Sequence, residues 1–154
     1  MNNILNYGGF RFFQSSYDKD EKGTVLSVNH DKWGTIVTYI GYIFLAVEKN
    51  GEAYYYYPVD KKGYYLGRPA DAFNIMRTLG LGATHDFIQN TTYFPTSVSG
   101  KILLDVESHG EAYYIYPKDR KKYYLGRPDD AFVVMRNLGL GITNANLSVL
   151  PLAQ

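Results

Sequence analysis

The chain of 154 residues carries 16 lysines and arginines against 15 aspartates and glutamates, for a formal net charge of +1. This balance argues against the long-range positive potential that drives binding to nucleic acid or to an anionic membrane. No apolar run approaches the length of about 18 residues that a membrane helix needs. Cysteine is absent, which excludes disulfides, thiolate catalysis and sulfur-ligated metal sites.

The first 40 residues have no counterpart elsewhere in the chain. Stretches rich in aromatic and β-branched residues predict strands at Phe10 to Phe13, Thr24 to Val28 and Thr35 to Ile40. We expect these strands to extend a sheet, to cover a sheet edge or to pair with another subunit. The first residues lack a basic stretch followed by a long apolar one, so no signal peptide is predicted.

Residues 41–88 recur without a gap as residues 100–147, and 30 of the 48 paired positions are identical. A period of this kind marks one supersecondary unit that stacks on or pairs with its copy. Because 48 residues alone make a marginal fold, we expect the two copies to bury surface against each other. The predicted division is an N-terminal segment 1–40, repeat 1 at 41–88, a linker 89–99, repeat 2 at 100–147 and a tail 148–154.

The first strand of the repeat shows a period-2 pattern. Ile43, Leu45 and Val47 are kept in the copy, whereas the positions between them change. Side chains alternate along a strand, so the kept face is predicted to point into the core and the other face to be partly exposed to water.

Two further strands and a helix complete the unit. The turn at 49–51 contains a glycine that can supply positive φ. The second strand, at 53–57, is predicted to end at Pro58, because proline cannot donate a hydrogen bond to a neighbouring strand. A polar turn then leads to the third strand at 64–66. Pro69 suits the first helical position, and Gly80 is predicted to cap the helix in a left-handed conformation. The prediction is an α+β protein of two tandem β-β-β-α repeats, each with a small antiparallel sheet packed on one helix, plus a β-rich N-terminal segment.

Catalytic, cofactor and metal sites are not predicted. His30, His85 and His109 do not recur and lack metal-ligand spacing, so each is interpreted as a solvated loop residue. Four acidic positions recur in both copies, and two carboxylates that face each other across a cleft could hydrolyse a glycoside. A structural role explains each of these acids better. The duplicated acids are Glu48/Glu107, Glu52/Glu111, Asp60/Asp119 and Asp71/Asp130. Glu52 is predicted to pair with Arg68 or Arg77.

The tyrosines are the remaining candidates for function. In the run Tyr54 to Tyr57 rings must lie on both faces of one strand. The outer rings either form a core between the repeats or provide a shallow aromatic surface for sugar rings or a protein partner, doubled for avidity. The residues predicted to contact the ligand are Glu52, Tyr54, Tyr56, Arg68, Glu111, Tyr113, Ile115 and Arg127.

The motifs GEAYY, YYLGRP, DAF, MR and LGLG occur in both copies. They resemble an uncharacterised tandem repeat module found in C-terminal domains of exported surface or wall-associated proteins of uncultured candidate-phylum bacteria. The resemblance covers both repeats and implies an accessory domain outside the cytoplasm rather than a catalyst. The module often has tryptophan where Tyr54 and Tyr113 stand, whereas the single tryptophan here is Trp33.

The predicted function is therefore a non-catalytic extracellular or cell-surface binding module that contacts wall polysaccharide or a partner protein, without a cofactor, nucleic acid or membrane insertion. The alternative is a homo-oligomeric structural subunit of a self-assembling surface layer or filament. In that alternative, residues 1–40 add strands to a neighbour's open sheet edge. An enzyme comes third, because it requires two carboxylates or a histidine and a nucleophile to meet across a cleft.

Overall fold

The computed structural model describes residues 4–7, 10–13 and 39–153. The predicted strand at 24–28 and most of that at 35–40 lie outside these residues, and Tyr39 to Gly41 form a turn. The described part is an α+β fold, as predicted. Its strands are β1 (Ile4–Tyr7), β2 (Phe10–Phe13), β3 (Ile43–Ala46), β4 (Ala53–Tyr56), β5 (Gly63–Tyr65), β6 (Leu81–Ala83), β7 (Ile102–Asp105), β8 (Ala112–Ile115), β9 (Lys122–Tyr124) and β10 (Leu140–Ile142). Its α-helices are α1 (Pro69–Leu79), α2 (His85–Asn90), α3 (Pro128–Leu138) and α4 (Asn144–Leu147).

Each repeat follows the predicted order of three antiparallel strands and a helix. β3, β4 and β5 pair in sequence, with Ile43 opposite Tyr55, and β7, β8 and β9 repeat this register. Gly51 and Gly110 have φ values of 76° and 72°, so the first turn uses the left-handed backbone for which glycine is suited. Both long helices begin at the proline of the repeated Arg-Pro pair. No helix among residues 39–153 combines the length and apolar character needed to cross a membrane.

A short strand after each long helix joins the sheet of the other repeat, which the sequence did not predict. β6 of repeat 1 pairs in parallel with β7 of repeat 2, and β10 of repeat 2 pairs in parallel with β3 of repeat 1. The resulting strand orders are β1-β2-β10-β3-β4-β5 and β6-β7-β8-β9. The two repeats therefore exchange strands, and neither sheet is built from one repeat alone.

The core lies between the exchanged repeats. Buried side chains from both copies form one cluster, and α1 packs against α3. The Tyr55 hydroxyl donates to the Gly100 carbonyl at 2.6 Å, and the Tyr114 hydroxyl donates to the Gly41 carbonyl at the same distance. Tyr55 and Tyr114 are therefore part of a core between the repeats. The members of the cluster are Ile43, Tyr55, Leu66, Ala72, Met76, Ile102, Ala112, Tyr114, Leu125, Ala131 and Met135.

The glycines that follow the long helices have a different role from the predicted left-handed cap. Gly80 and Gly139 are the C-cap residues, as predicted, but their φ values are −67° and −65°, so the predicted left-handed conformation is wrong. A Cβ on Gly80 would lie 2.5 Å from Cγ of Leu104, and one on Gly139 would lie 2.8 Å from Cγ of Leu45. Each glycine therefore leaves room for a leucine of the other repeat, beside the exchanged strand.

The outer face of the first strand is not exposed as predicted. All four residues of β3 are buried, including Phe44, because Leu147 and Leu150 pack against that face. In β7 the equivalent Leu103 is fully buried against Ile88 and Phe94. Period 2 distinguishes the two faces of a strand but does not show what covers each of them.

The duplicated Glu48 and Glu107 connect the repeats at the exchanged ends. Glu107 accepts a hydrogen bond from the backbone N–H of His85 at 2.9 Å, and Glu48 accepts one from the N–H of Asn144 at 2.7 Å. Each carboxylate thus binds a free amide at the start of a short helix from the other repeat, where negative charge is favourable.

Candidate functional site

The strand residues predicted to form an exposed platform are buried. Tyr54 is 7% exposed, Tyr113 8%, Tyr56 1% and Ile115 0%, so an exposed platform at these four positions is wrong. The opposite faces of the same strands are also buried, at Tyr55 and Tyr114. The physical reason is that repeat–repeat packing covers one face of each strand and segments outside the unit cover the other.

The exposed rings belong to the neighbouring strands, at residues that the sequence reasoning missed. Tyr65 is 50% exposed and Tyr124 45%. Tyr65 packs on Tyr54 with a centroid distance of 5.3 Å, and Tyr124 packs on Tyr113 at the same distance. We call each surface a tyrosine ledge: ledge 1 consists of Glu52, Tyr54, Tyr65, Gly67, Arg68 and Asp71, and ledge 2 of Glu111, Tyr113, Tyr124, Gly126, Arg127 and Asp130.

A carboxylate lies at one side of each ledge. The Tyr54 hydroxyl donates to Oε2 of Glu52 at 3.3 Å, and the Tyr113 hydroxyl donates to Oε2 of Glu111 at 3.0 Å. Burial, followed by the charge of Glu52, raises the pKa of Tyr54, so this hydroxyl stays protonated and a donor at neutral pH. Glu52 also pairs with Lys49 at 3.7 Å. Its predicted pairing with an arginine is therefore wrong.

An ion pair lies at the other side of each ledge. Arg68 lies 3.2 Å from Asp71 and Arg127 3.5 Å from Asp130, and both arginine side chains are 86% exposed. Exposed pairs of this kind contribute at most about 1 kcal/mol to stability. The arginines are thus held in place without being needed for the fold.

The glycine of the Leu-Gly-Arg-Pro motif brings ring and ion pair together. A Cβ on Gly67 would lie 3.1 Å from Cε1 of Tyr65 and 3.5 Å from Oδ2 of Asp71. In the second copy a Cβ on Gly126 would collide with the Tyr124 ring itself. Each exposed ring therefore lies close against glycine backbone, which restricts its orientation.

Comparison of the two copies indicates which exposed residues are under constraint. Some exposed positions elsewhere have drifted, as in Val59, whose twin is Lys118, and Asn74, whose twin is Val133, whereas others are kept, as in Lys62 and its twin Lys121. The exposed tyrosine and arginine of the ledge are identical in both copies. The sequence signal that could have identified the ledges is this joint identity of an exposed ring and an exposed guanidinium.

One histidine has an ordered partner. Nδ1 of His85 lies 2.7 Å from Oδ2 of Asp105, whose side chain is fully buried, and Oδ1 of the same carboxylate accepts the Glu107 N–H at 3.2 Å. The side chain of His85 is 51% exposed, as expected for a solvated residue, but His85 begins α2 and is held by this carboxylate rather than lying in a loop. Within the described residues its ring has no second hydrogen-bond partner, and its twin is Asn144.

The ledges carry groups that can recognise a ligand. An aromatic face, a carboxylate acceptor and a guanidinium donor occur together, and the carboxylate accepts a hydrogen bond from a tyrosine hydroxyl. Among the described residues, no three His, Asp or Glu side chains lie close enough to hold a metal ion.

Comparison with known proteins gives one local match and no family. No protein-family model matches the chain, and no solved structure matches it. A 45-residue segment is 62% identical to part of Protein NrfI of Wolinella succinogenes, which is 29% of this chain and 5% of that protein. The matched length is close to one 48-residue repeat, and the chain corresponds to only a small fraction of that relative.

Proposed function

We propose that the protein is a non-catalytic binding module of the cell surface or extracellular space, and that its two tyrosine ledges bind wall polysaccharide. The observation that carries this proposal is the half-exposed ring of Tyr65 and Tyr124, which occurs with the same carboxylate and arginine in both copies. The resemblance to modules of exported wall-associated proteins supports the location.

The ledge chemistry suits a sugar. A pyranose ring presents an apolar C–H face that packs on an aromatic ring, whose face carries negative electrostatic potential. The hydroxyls at the edge of the sugar need donors and acceptors, which Arg68 and Glu52 of the same ledge supply. The equivalent groups in ledge 2 are Arg127, Glu111 and Tyr124.

Two ledges on one rigid body favour a repeating ligand. A single shallow ring contact is weak, but the second contact to the same polymer is intramolecular and strengthens overall binding by about 10²–10⁴ when the geometry allows both. The intact protein should therefore be retained on an insoluble polymer, and removal of either ledge should weaken this retention.

The test is co-sedimentation of the purified protein with insoluble peptidoglycan, chitin and cellulose. Tyr65→Ala/Tyr124→Ala should abolish saturable pelleting, because it removes both ring faces and leaves the buried core in place. Tyr93→Ala is the matched control, because Tyr93 is 62% exposed and lies outside both ledges. Equal pelleting of the double variant and the control would refute the ledges as the binding surface.

The single variants measure the avidity. Tyr65→Ala and Tyr124→Ala should each retain weak binding and lower the apparent affinity by about tenfold or more. If one variant is inactive and the other is unaffected, only one ledge binds, and the duplicated module acts with one site.

The alternative function, a subunit that assembles by strand addition, is also supported by one observation. An edge of the second sheet is exposed where its counterpart in the first sheet is covered, as described in the next subsection. In the described structure the N-terminal strands β1 and β2 pair with β10 of the same chain. Light scattering of the purified protein separates the two functions: a binder keeps one mass, whereas an assembler grows with concentration.

A further inference from the structure

The two exchanged strands have different neighbours. The outer edge of β10 is covered by β2, which runs parallel to it with Phe12 opposite Gly141, and β1 lies beyond β2. As a result Gly141 and Ile142 are buried. The first sheet thus accepts a pair of antiparallel strands, residues 4–7 and 10–13, next to the exchanged strand.

The equivalent edge of the second sheet is exposed. In the described part of the chain the second sheet ends at β6. Leu81 is 47% exposed and Gly82 is exposed, whereas Gly141, the twin of Gly82, is buried. The sequences of the two edges are Leu-Gly-Ala and Leu-Gly-Ile, so they are nearly the same surface.

The backbone of β6 is oriented to accept a strand. The Ala83 carbonyl accepts from the Val106 N–H at 3.2 Å, so Ala83 bonds toward the interior of the sheet. Backbone groups alternate sides along a strand, so the N–H and C=O of Gly82 point to the open edge. The same pattern holds at the covered edge, where the Ile142 carbonyl accepts from Val47 and Gly141 is opposite Phe12.

We propose that the β6 edge is a binding site for an extended, aromatic-rich strand of a separate polypeptide, which runs parallel to β6 and resembles the Phe-Arg-Phe-Phe sequence of residues 10–13. The near-identical edge at β10 shows which kind of segment this surface takes. Main-chain hydrogen bonds to Gly82 would provide binding energy, and the exposed side chain of Leu81 would provide an apolar contact.

A second copy of this chain is a less favourable donor than a separate partner. Its β2 already pairs with its own β10. If that strand moved to β6 of a neighbour, one strand pair would form for each pair lost, and association would still cost translational and rotational entropy. A donor strand from a separate polypeptide also loses this entropy on binding, but it gains a strand pair without losing one.

The probe for the test is a fluorescently labelled synthetic peptide of residues 3–14, titrated with the full chain and followed by fluorescence anisotropy. Saturable binding of one peptide per chain is expected, with no saturable binding of a scrambled peptide. Leu81→Lys should weaken binding about tenfold, because lysine on an edge strand opposes pairing. Gly82→Pro should weaken it at least as much, because it removes the outward N–H.

Val59→Lys is the matched control, because Val59 is 63% exposed and its twin in the second copy is already Lys118. Circular dichroism of each variant checks the fold. If Gly82→Pro does not fold, Leu81→Lys still tests the edge, because it changes only a side chain. Two results would overturn the proposal: no saturable binding, or binding that Leu81→Lys leaves unchanged, which would place the peptide at the β10 edge by displacement. Self-association that Leu81→Lys suppresses would instead make a second copy the occupant.

Discussion

Replacement of Gly41 by alanine should destabilise the protein far more than replacement of Gly51. Both glycines have left-handed backbone, with φ of 85° and 76°. They differ in surroundings: a Cβ on Gly41 would lie 2.5 Å from the Gly100 Cα, whereas a Cβ on Gly51 would meet nothing within 4 Å. The pair therefore separates the cost of backbone conformation from the cost of contact between the repeats.

The expected loss of unfolding free energy in each variant follows from these distances. Left-handed backbone costs a non-glycine residue about 1–2 kcal/mol, which is the whole expected effect at Gly51. At Gly41 the two backbones must separate by about 1 Å to reach an ordinary carbon–carbon contact. That shift breaks the 2.6 Å bonds from Tyr55 to Gly100 and from Tyr114 to Gly41. Each buried bond lost costs about 1–2 kcal/mol, so Gly41→Ala should cost about 3–6 kcal/mol.

The assay is equilibrium urea unfolding followed by far-ultraviolet circular dichroism. Gly41→Ala should lower the transition midpoint by several times the shift seen with Gly51→Ala, with a similar slope. Gly100→Ala should match Gly41→Ala, because the contact is reciprocal. Equal effects of Gly41→Ala and Gly51→Ala would refute the close approach of the two repeats, since only backbone strain would then remain.

Three further predictions address titration, helix starts and strand exchange. Hydrogen bonds to aspartate raise the pKa of Tyr64 and Tyr123 to about 12. Their contribution to the free energy of unfolding is therefore complete below the unfolded pKa of about 10 and lost as the pH rises through about 12. Burial raises the pKa of Tyr55 and Tyr114 well above the usual value, so late titration remains in every variant. Phenolate absorbance should nevertheless lose two tyrosines that titrate near pH 12 in Tyr64→Phe/Tyr123→Phe. Glu107→Ala should lower the free energy of unfolding by about 1 kcal/mol, because a helix amide loses its acceptor; an unchanged urea midpoint would contradict this role. Residues 89–153 alone should form a two-fold dimer in light scattering, because the last strand needs a partner repeat, and a stable folded monomer would refute the exchange.

Much of the candidate site was predictable, and its centre was not. Glu52 and Arg68 and their twins were predicted, and they flank the ledges. Tyr54 was predicted as an exposed ring but is covered, and the exposed ring is Tyr65. Both tyrosines lie in aromatic strands with the same local pattern, so only the packing of neighbouring segments distinguishes them.

By itself the sequence determined the central part of the unit: the glycine turn at 49–51, the helix start at Pro69 and the order β-β-β-α. These features depend on backbone preferences of single residues and on periodicity within a few turns or strands. Only the tertiary structure decided that β6 and β10 exchange, that Gly80 makes room for Leu104, and which tyrosines reach the surface. A three-residue parallel strand has no periodicity to detect. The pairing and burial of β6 and β10 depend on segments that are distant in the chain. The reason is that the free energy of a buried contact depends on both residues that form it.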